Sequence, residues 1–256
     1  MEVVRQAGYA LNKASSIYCP SELQIEKKGH GDWVTYADRM VEADLFRWLR
    51  DQYPEHGIFS EETLYPEEDR EFVWYIDPID GTTNYIRSNS AYSISIGLRH
   101  QGKTVLGVVC GRDEVYAAAA GKCLLIEKYA AGAHALENAL IGFSPRTAQW
   151  VKEKGGNPLG LMSAAGGYRY IGSSALELCR VACGRLDFYF SSSLKPWDYA
   201  GALAVLQAAG AKAAVWHAQE TLVFAWREDK VLEQALVYLP KGIDEMIRTA
   251  MEACSC

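Results

Sequence analysis

Apolar residues recur at helical spacing from Glu2 to Ser16 and again from Thr35 to Tyr53, so two amphipathic helices are expected near the amino terminus. Val41, Leu45, Phe46 and Leu49 mark one face of the second. Between them, Lys27-Lys28-Gly29-His30-Gly31-Asp32 is charged and carries glycine, which reads as a mobile loop. The pattern then changes. Gly57-Ile58-Phe59 is a short strand-like run, and the unbroken apolar stretch Phe72-Val73-Trp74-Tyr75-Ile76 reads as a buried strand whose hydrogen-bond ladder is expected to stop at Pro78. Three further strand-like runs follow, Ala91 to Leu98, Thr104 to Val109 and Glu114 to Ala119, with a Gln101-Gly102-Lys103 turn between the first two; they suggest an antiparallel meander.

The stretch from Gly142 to Gly172 is rich in Gly, Pro and Ser and is taken as a junction between two halves of one domain, about 1–141 and about 142–256. Beyond it, Ser173 to Ala182 and Asp198 to Ala209 read as helices, and Leu186 to Phe190 and Thr221 to Ala225 as strands. Mixed helices and strands without a repeat imply a layered α/β or α+β fold.

Composition narrows the function more than the fold. At 256 residues and 49% apolar content the chain can bury a large core. A formal charge of −6 argues against a binder of nucleic-acid backbones, which needs a basic face. A phosphorylated ligand would then need metal ions to offset an acidic site. The stretch from Met1 to Gly8 has early charges and no continuous apolar run, so neither a signal peptide nor a membrane span is expected, and the cytoplasm is the expected compartment. Seven scattered cysteines without a CxxC pair read as reduced core thiols. Cys254-Ser255-Cys256 is either a frayed tail or a small metal or disulfide motif.

The chemistry concentrates in Asp77-Pro78-Ile79-Asp80-Gly81-Thr82-Thr83-Asn84-Tyr85, where two carboxylates close an apolar run and are followed by glycine and hydroxyls. Hard cations beside a phosphate would be held in this way. Ser60-Glu61-Glu62 follows another strand-like run and offers a third acidic ligand; an isolated Glu pair is also an ordinary surface feature, as Glu67-Glu68-Asp69 is expected to be. Asp198, in Trp197-Asp198-Tyr199-Ala200-Gly201, is either a ligand or a helix N-cap, and Asp38 either functional or a first-turn acid favoured by the helix dipole. In combination Glu61, Asp77, Asp80 and Asp198 supply an oxygen-only set, and none of the five histidines forms a transition-metal pair, which suits Mg²⁺ better than zinc.

These motifs, with Asp32-Trp33-Val34-Thr35-Tyr36-Ala37-Asp38 ahead of them, resemble the inositol monophosphatase family of Mg²⁺-dependent, lithium-sensitive phosphatases, in the family's order and over most of the chain to about Gly210. The resemblance implies a layered αβαβα sandwich, commonly a homodimer, with two to three Mg²⁺ ions. It implies that Glu61, Asp77 and the Ile79 carbonyl hold one ion, that Asp77, Asp80 and Asp198 hold a second, and that a weaker third sits near Glu61. Asp38, Thr82 and Glu61 would form the catalytic set, with Asp38 and Thr82 orienting and deprotonating the attacking water. Asp80 and the Gly81 and Thr82 amides would face the phosphate, while Lys27 or Lys28 would lie in a loop that closes over the metals; Gly172, Ser173 and Ser174 would either contact the polyol or cap the helix that follows. Two departures stand out. Ser191 occupies the position of an acidic residue in inositol-specific members, although Ser191-Ser192-Ser193 can still hydrogen-bond a polyol or be plain loop, and Ser60 replaces a glycine, a change expected to matter little.

The implied activity is hydrolysis of a small polyol or sugar monophosphate, inositol monophosphate first. Fructose 1,6-bisphosphate, 3′-phosphoadenosine 5′-phosphate, histidinol phosphate and NADP are alternatives on the same scaffold, and a catalytically idle homologue acting through partners is a different class of alternative. Thr83-Asn84-Tyr85 resembles the inositol branch.

Overall fold

A computed structural model describes residues 1–29, 32–62, 70–126, 132–217 and 219–254. The expectations for His30 and Gly31, for the acidic run 67–69 and for the end of the tail at Ser255 and Cys256 lie outside those residues. The chain divides into two compact units, each assembled from separated segments. Unit 1 takes Met1–Ile126, Gly172–Leu176 and Pro196–Val205; unit 2 takes Glu127–Ile171, Glu177–Lys195 and Leu206–Cys256. The Gly/Pro/Ser-rich stretch predicts a change-over near residue 142, whereas unit 1 also takes the two later stretches Gly172–Leu176 and Pro196–Val205.

In unit 1 the helices α1 (Glu2–Ser16) and α2 (Tyr36–Gln52) form where the apolar spacing predicts them. Val3, Ala7, Ala10, Leu11 and Ala14 of α1 and Val41, Leu45 and Leu49 of α2 are buried in one cluster. Each of the Val and Leu side chains contributes roughly 2 kcal/mol by leaving water, and each alanine methyl about 0.8 kcal/mol. Between the helices the expected loop is instead a hairpin, β1 (Glu26–Gly29) against β2 (Asp32–Val34). The main sheet runs β3-β4-β5-β6-β7-β8, from β3 (Gly57–Ser60), β4 (Phe72–Asp80), β5 (Ser93–His100), β6 (Lys103–Gly111), β7 (Val115–Ala119) and β8 (Lys122–Leu125), with a short helix α3 (Thr82–Ser88) after β4. Only β3 and β4 pair in parallel; the rest is the expected meander with one strand more.

Alternation explains why β4 reads as a continuous apolar run: its two faces bury different partners. Trp74 and Ile76 join Ile94, Ile96, Leu98 and Val108 beneath α1 and α2. Val73 and Tyr75 face the other way and pack with Ala200, Phe59 and Trp197. That second face carries Gly97 opposite both Tyr75 and Gly107 in register. The two glycines leave room for the backbone of α7 (Pro196–Ala209) at Ala200 and Gly201, because a methyl on Gly97 would lie 2.6 Å from the Ala200 carbonyl carbon.

Unit 2 has the sheet order β10-β9-β11-β13-β12. Its strands are β9 (Leu140–Gly142), β10 (Gly167–Arg169), β11 (Phe188–Ser191), β12 (Lys212–His217) and β13 (Thr221–Trp226). Strand β9 pairs in parallel with β10 and with β11, and β13 pairs antiparallel with β11 and with β12. Ile141, Phe188, Phe190, Phe224 and Trp226 form a core with Val151 of α4 (Pro145–Glu153), Leu161 of α5 (Pro158–Ala164), Val231 of α8 (Asp229–Leu236) and Ile247 of α9 (Ile243–Cys254). The supposed junction is therefore structured. Pro145 and Pro158 open helices behind the N-caps Ser144 and Asn157, whose side chains accept from Thr147 and Gly160.

Of the described cysteines, Cys110, Cys179 and Cys183 are buried thiols, as expected, while Cys19 is half-buried and Cys123 exposed. Among the described residues no helix is long and apolar enough to cross a membrane.

Candidate active site

The amino end of α2 fixes the first acid. Thr35 and Asp38 form a capping box, in which the Thr35 amide and hydroxyl donate to Asp38 Oδ2 at 2.8 and 2.6 Å. Asp38 is thus the first-turn acid of the helix, and its other oxygen remains available to a second element. Thr82 Oγ1 lies 3.3 Å from Asp38 Oδ1 and 3.0 Å from the Ile79 carbonyl oxygen, so one hydroxyl proton has two acceptors. Asp38 is fully buried, and burial pushes its carboxyl up to about 6 against the Thr35 bonds, with the Glu61 charge adding to the rise.

The end of β4 fixes two more. The strand does not stop at Pro78 as expected but continues to Asp80, with an irregular register in which Asp77 faces Ser95 and Asp80 faces Ser93. Three residues on β4 therefore span two on β5, and Pro78 sits in the bulge, where a missing N–H costs no ladder bond. The consequence is directional. Residues three apart on a regular strand point to opposite faces, whereas one inserted residue returns Asp77 and Asp80 to the same face. Asp77 Oδ1 accepts from the Ile79 amide at 3.0 Å.

Asp80 is tied to α6 (Ser174–Cys183), whose first residues belong to unit 1. Its carboxylate accepts from the Ser174 and Ala175 amides at 3.1 and 2.8 Å, from Ser173 Oγ, and from Ser93 Oγ at 3.4 Å. Burial raises Asp80 to about 6, those bonds hold it down, and the charge of Glu61 pushes it further up. The Ser173 hydroxyl and Ser174 amide, expected on the substrate side, here serve Asp80. Gly81 takes φ +99°, and a methyl on it would lie 3.1 Å from the Gly172 carbonyl oxygen, so the left-handed turn and the close approach both call for glycine.

Glu61 follows β3, and its amide donates to the Ile76 carbonyl at 3.2 Å. Lys28 of β1 donates to Glu61 Oε1 and to Glu62 Oε1, both at 2.8 Å. Burial raises Glu62 to about 7; Lys28 draws it back without outweighing burial, and Glu61 and Asp38 add to the rise. Asp198 is the third residue of α7, which begins at Pro196, so it stands inside the first turn and is not the N-cap. Trp197 beside it packs against Phe59 with ring centroids 5.3 Å apart and the rings tilted by 32°, which anchors that turn on the sheet. Asp77 collects the result. It is buried, and burial, the charges of Glu61, Asp80 and Asp198, and a hydrogen bond with Glu61 all push its carboxyl well above the usual carboxylate range.

Sequence reasoning did not single out Glu42 or Ser93, and it treated Ser60 as incidental and Glu62 only as the neighbour of Glu61. The signal for Glu42 was its place one helical turn after Asp38. Ser191 lies in unit 2, buried on β11 opposite Val223.

The donor chemistry fits Mg²⁺: carboxylate and carbonyl oxygens, strong mutual repulsion on a buried Asp77, and no histidine among them. Among the described residues no three Asp, Glu, His or Cys side chains are already drawn into a ready-made cluster, and the Lys28 ammonium shares Glu61. Cation binding would therefore have to draw the carboxylates together.

The sequence model of the inositol monophosphatase family matches residues 1–255. This chain belongs to the inositol monophosphatase family. It is 33% identical over 219 residues to the Nus factor SuhB of Escherichia coli K12, covering 82% of this chain and 81% of that protein. Among solved structures it resembles the extragenic suppressor protein suhB of Bartonella henselae, with 26% identity, TM-score 0.80 and coverage of 94% and 96% of the two chains. It also resembles the inositol monophosphatase of Anabaena (Nostoc) sp. PCC 7120, with 26% identity, TM-score 0.73 and coverage of 95% and 98%. The mixed α/β fold expected from the sequence is that of this family.

Proposed function

We propose that this member of a phosphatase family hydrolyses a small polyol or sugar monophosphate, inositol monophosphate first, in the cytoplasm and with Mg²⁺. The observation that carries the reading is the buried Asp77 under the charges of Glu61, Asp80 and Asp198, in a chain whose family is the inositol monophosphatases. Glu61, Asp77, Asp80, Asp198 and the Ile79 carbonyl would hold two to three ions. Bound Mg²⁺ supplies Lewis acidity toward water and phosphate oxygens.

The chain's own groups do the rest. Asp38, raised to about 6, is ionised near neutrality yet basic enough to draw on the Thr82 hydroxyl, which then accepts a proton from a water at its oxygen. The buried bonds at Asp80 keep one carboxylate oriented without a folding cost at each turnover. No serine or cysteine nucleophile is needed, because phosphoryl transfer asks chiefly for positioning and charge stabilisation.

The test is phosphate release across a panel of inositol, sugar and nucleotide monophosphates, with and without Mg²⁺ and with added Li⁺. We expect Mg²⁺-dependent turnover, inhibited by Li⁺, that falls by at least about a hundredfold in Asp80→Asn. Unchanged turnover in Asp80→Asn would remove the metal assignment. A second reading rests on the relative named a Nus factor: a role through a macromolecular partner. Mg²⁺ binding without turnover of any panel substrate favours it.

A further inference from the structure

We infer that Glu42 is a positioning residue that aims Glu61, acting through Ser60 and the Glu62 amide; the inference rests on the proposed metal role of Glu61. Glu42 lies on α2 and is 4% exposed. Its Oε2 accepts from Ser60 Oγ at 2.6 Å and from the Glu62 amide at 2.9 Å. These donors flank Glu61 on both sides. The Glu61 amide is itself held by the Ile76 carbonyl at 3.2 Å, so three consecutive residues are pinned, two to α2 and one to β4.

The geometry has a purpose beyond satisfying buried groups. Asp38 and Glu42 stand four residues apart, on one face of one helix. Asp38 takes the Thr82 hydroxyl, and Glu42 takes the turn that carries Glu61. The helix therefore acts as a ruler between the group that activates water and a group that holds the cation. Such sites lose function with displacements of about half an ångström. Ser60 is fully buried, so its hydroxyl has no water to turn to if Glu42 is lost. Ser60 is thus one half of a clamp.

The experiment is Mg²⁺ titration by calorimetry, with kcat and KM for inositol 1-phosphate at saturating Mg²⁺, on the full chain and on Glu42→Leu, Glu42→Gln and Ser60→Ala. Loss of a group behind a metal ligand costs about 10–100-fold in affinity, so Glu42→Leu should weaken Mg²⁺ binding at least about tenfold. Ser60→Ala, which leaves Glu42 and the Glu62 amide paired and should fold, should weaken it about threefold. Glu42→Gln keeps an oxygen able to accept both donors and should stay within about twofold of wild type. In all three, KM at saturating Mg²⁺ should hold, a split that mere destabilisation does not give. Wild-type affinity in Ser60→Ala together with wild-type affinity in folded Glu42→Leu overturns the positioning role alone. A wild-type chain that binds no Mg²⁺ overturns the metal reading first and this inference with it.

Discussion

Gly107→Ala tests the packing that brings Asp198 to the other acids. A methyl on Gly107 would sit 1.9 Å from the Gly201 carbonyl oxygen and 2.9 Å from Ala204 Cβ. Carbon–oxygen contact needs about 3.3 Å, so strand β6 and helix α7 must part by about 1.4 Å. Overpacking costs about 1–3 kcal/mol, and with backbone at the tightest contact no rotamer can relieve it, so the upper end applies. At about 2–4 °C per kcal/mol for a chain of this size, the melting temperature should fall by roughly 6–12 °C. Asp198 stands three residues before Gly201 on the same helix, so the shift should also weaken Mg²⁺ binding about tenfold. Thermal melts and calorimetric Mg²⁺ titration read both effects. Gly8→Ala is the control with the opposite sign: nothing lies within 4 Å of the added methyl, and a helix-interior alanine should stabilise by roughly 0.5–1 kcal/mol. A Gly107→Ala protein that melts and binds Mg²⁺ like wild type would refute the close approach of α7 to the sheet.

Lys28→Met should tighten Mg²⁺ binding, because the ammonium holds Glu61 Oε1 at 2.8 Å and must release it to an incoming cation. A half-buried pair worth about 1 kcal/mol translates into about fivefold, and unchanged or weaker affinity in calorimetry would contradict it. Metal-free protein should lose stability as pH rises. Asp38 and Asp80 at about 6 and Glu62 at about 7 all stand above their unfolded values near 4, so between about pH 4 and 7 the folded state binds more protons. Their contribution is fully present below about pH 4 and fades through about pH 6–7; for Asp38 alone the span is about 3 kcal/mol. Melts in chelator should therefore show a higher midpoint at about pH 5 than at about pH 7.5, with Mg²⁺ restoring stability at the higher pH; a midpoint that rises with pH in chelator would oppose this.

What the chain reveals in advance depends on whether an interaction is local. Helices α1 and α2 are legible because one apolar stripe repeats at helical spacing, and β4 because burial on both faces leaves no polar alternation. Pro145 and Pro158 mislead for the same reason: proline stops a helix that precedes it and starts one that follows, and the caps Ser144 and Asn157 decide which. Pro78 is a subtler case. The sequence shows that a donor is missing but not that β5 passes the gap with a bulge, and the bulge is what puts Asp77 and Asp80 on one face.

The acids of the candidate site were legible as residue types, since Glu61, Asp77 and Asp80 stand at the ends of apolar runs and Asp198 at the start of an Ala-rich helix. Their supports were not, because each depends on a partner far along the chain. Asp80 meets Ala175 across 95 residues and Glu42 meets Ser60 across 18. A carboxylate that caps a helix from another strand leaves no trace at its own position, and a glycine pair such as Gly97 and Gly107 signals close approach without naming what approaches. The division of labour follows. Short-range motifs supply charge, and long-range hydrogen bonds and glycine contacts set where that charge stands, so substitutions at Ser60, Glu42 or Gly107 should change metal binding although none of these residues offers an oxygen to the ion.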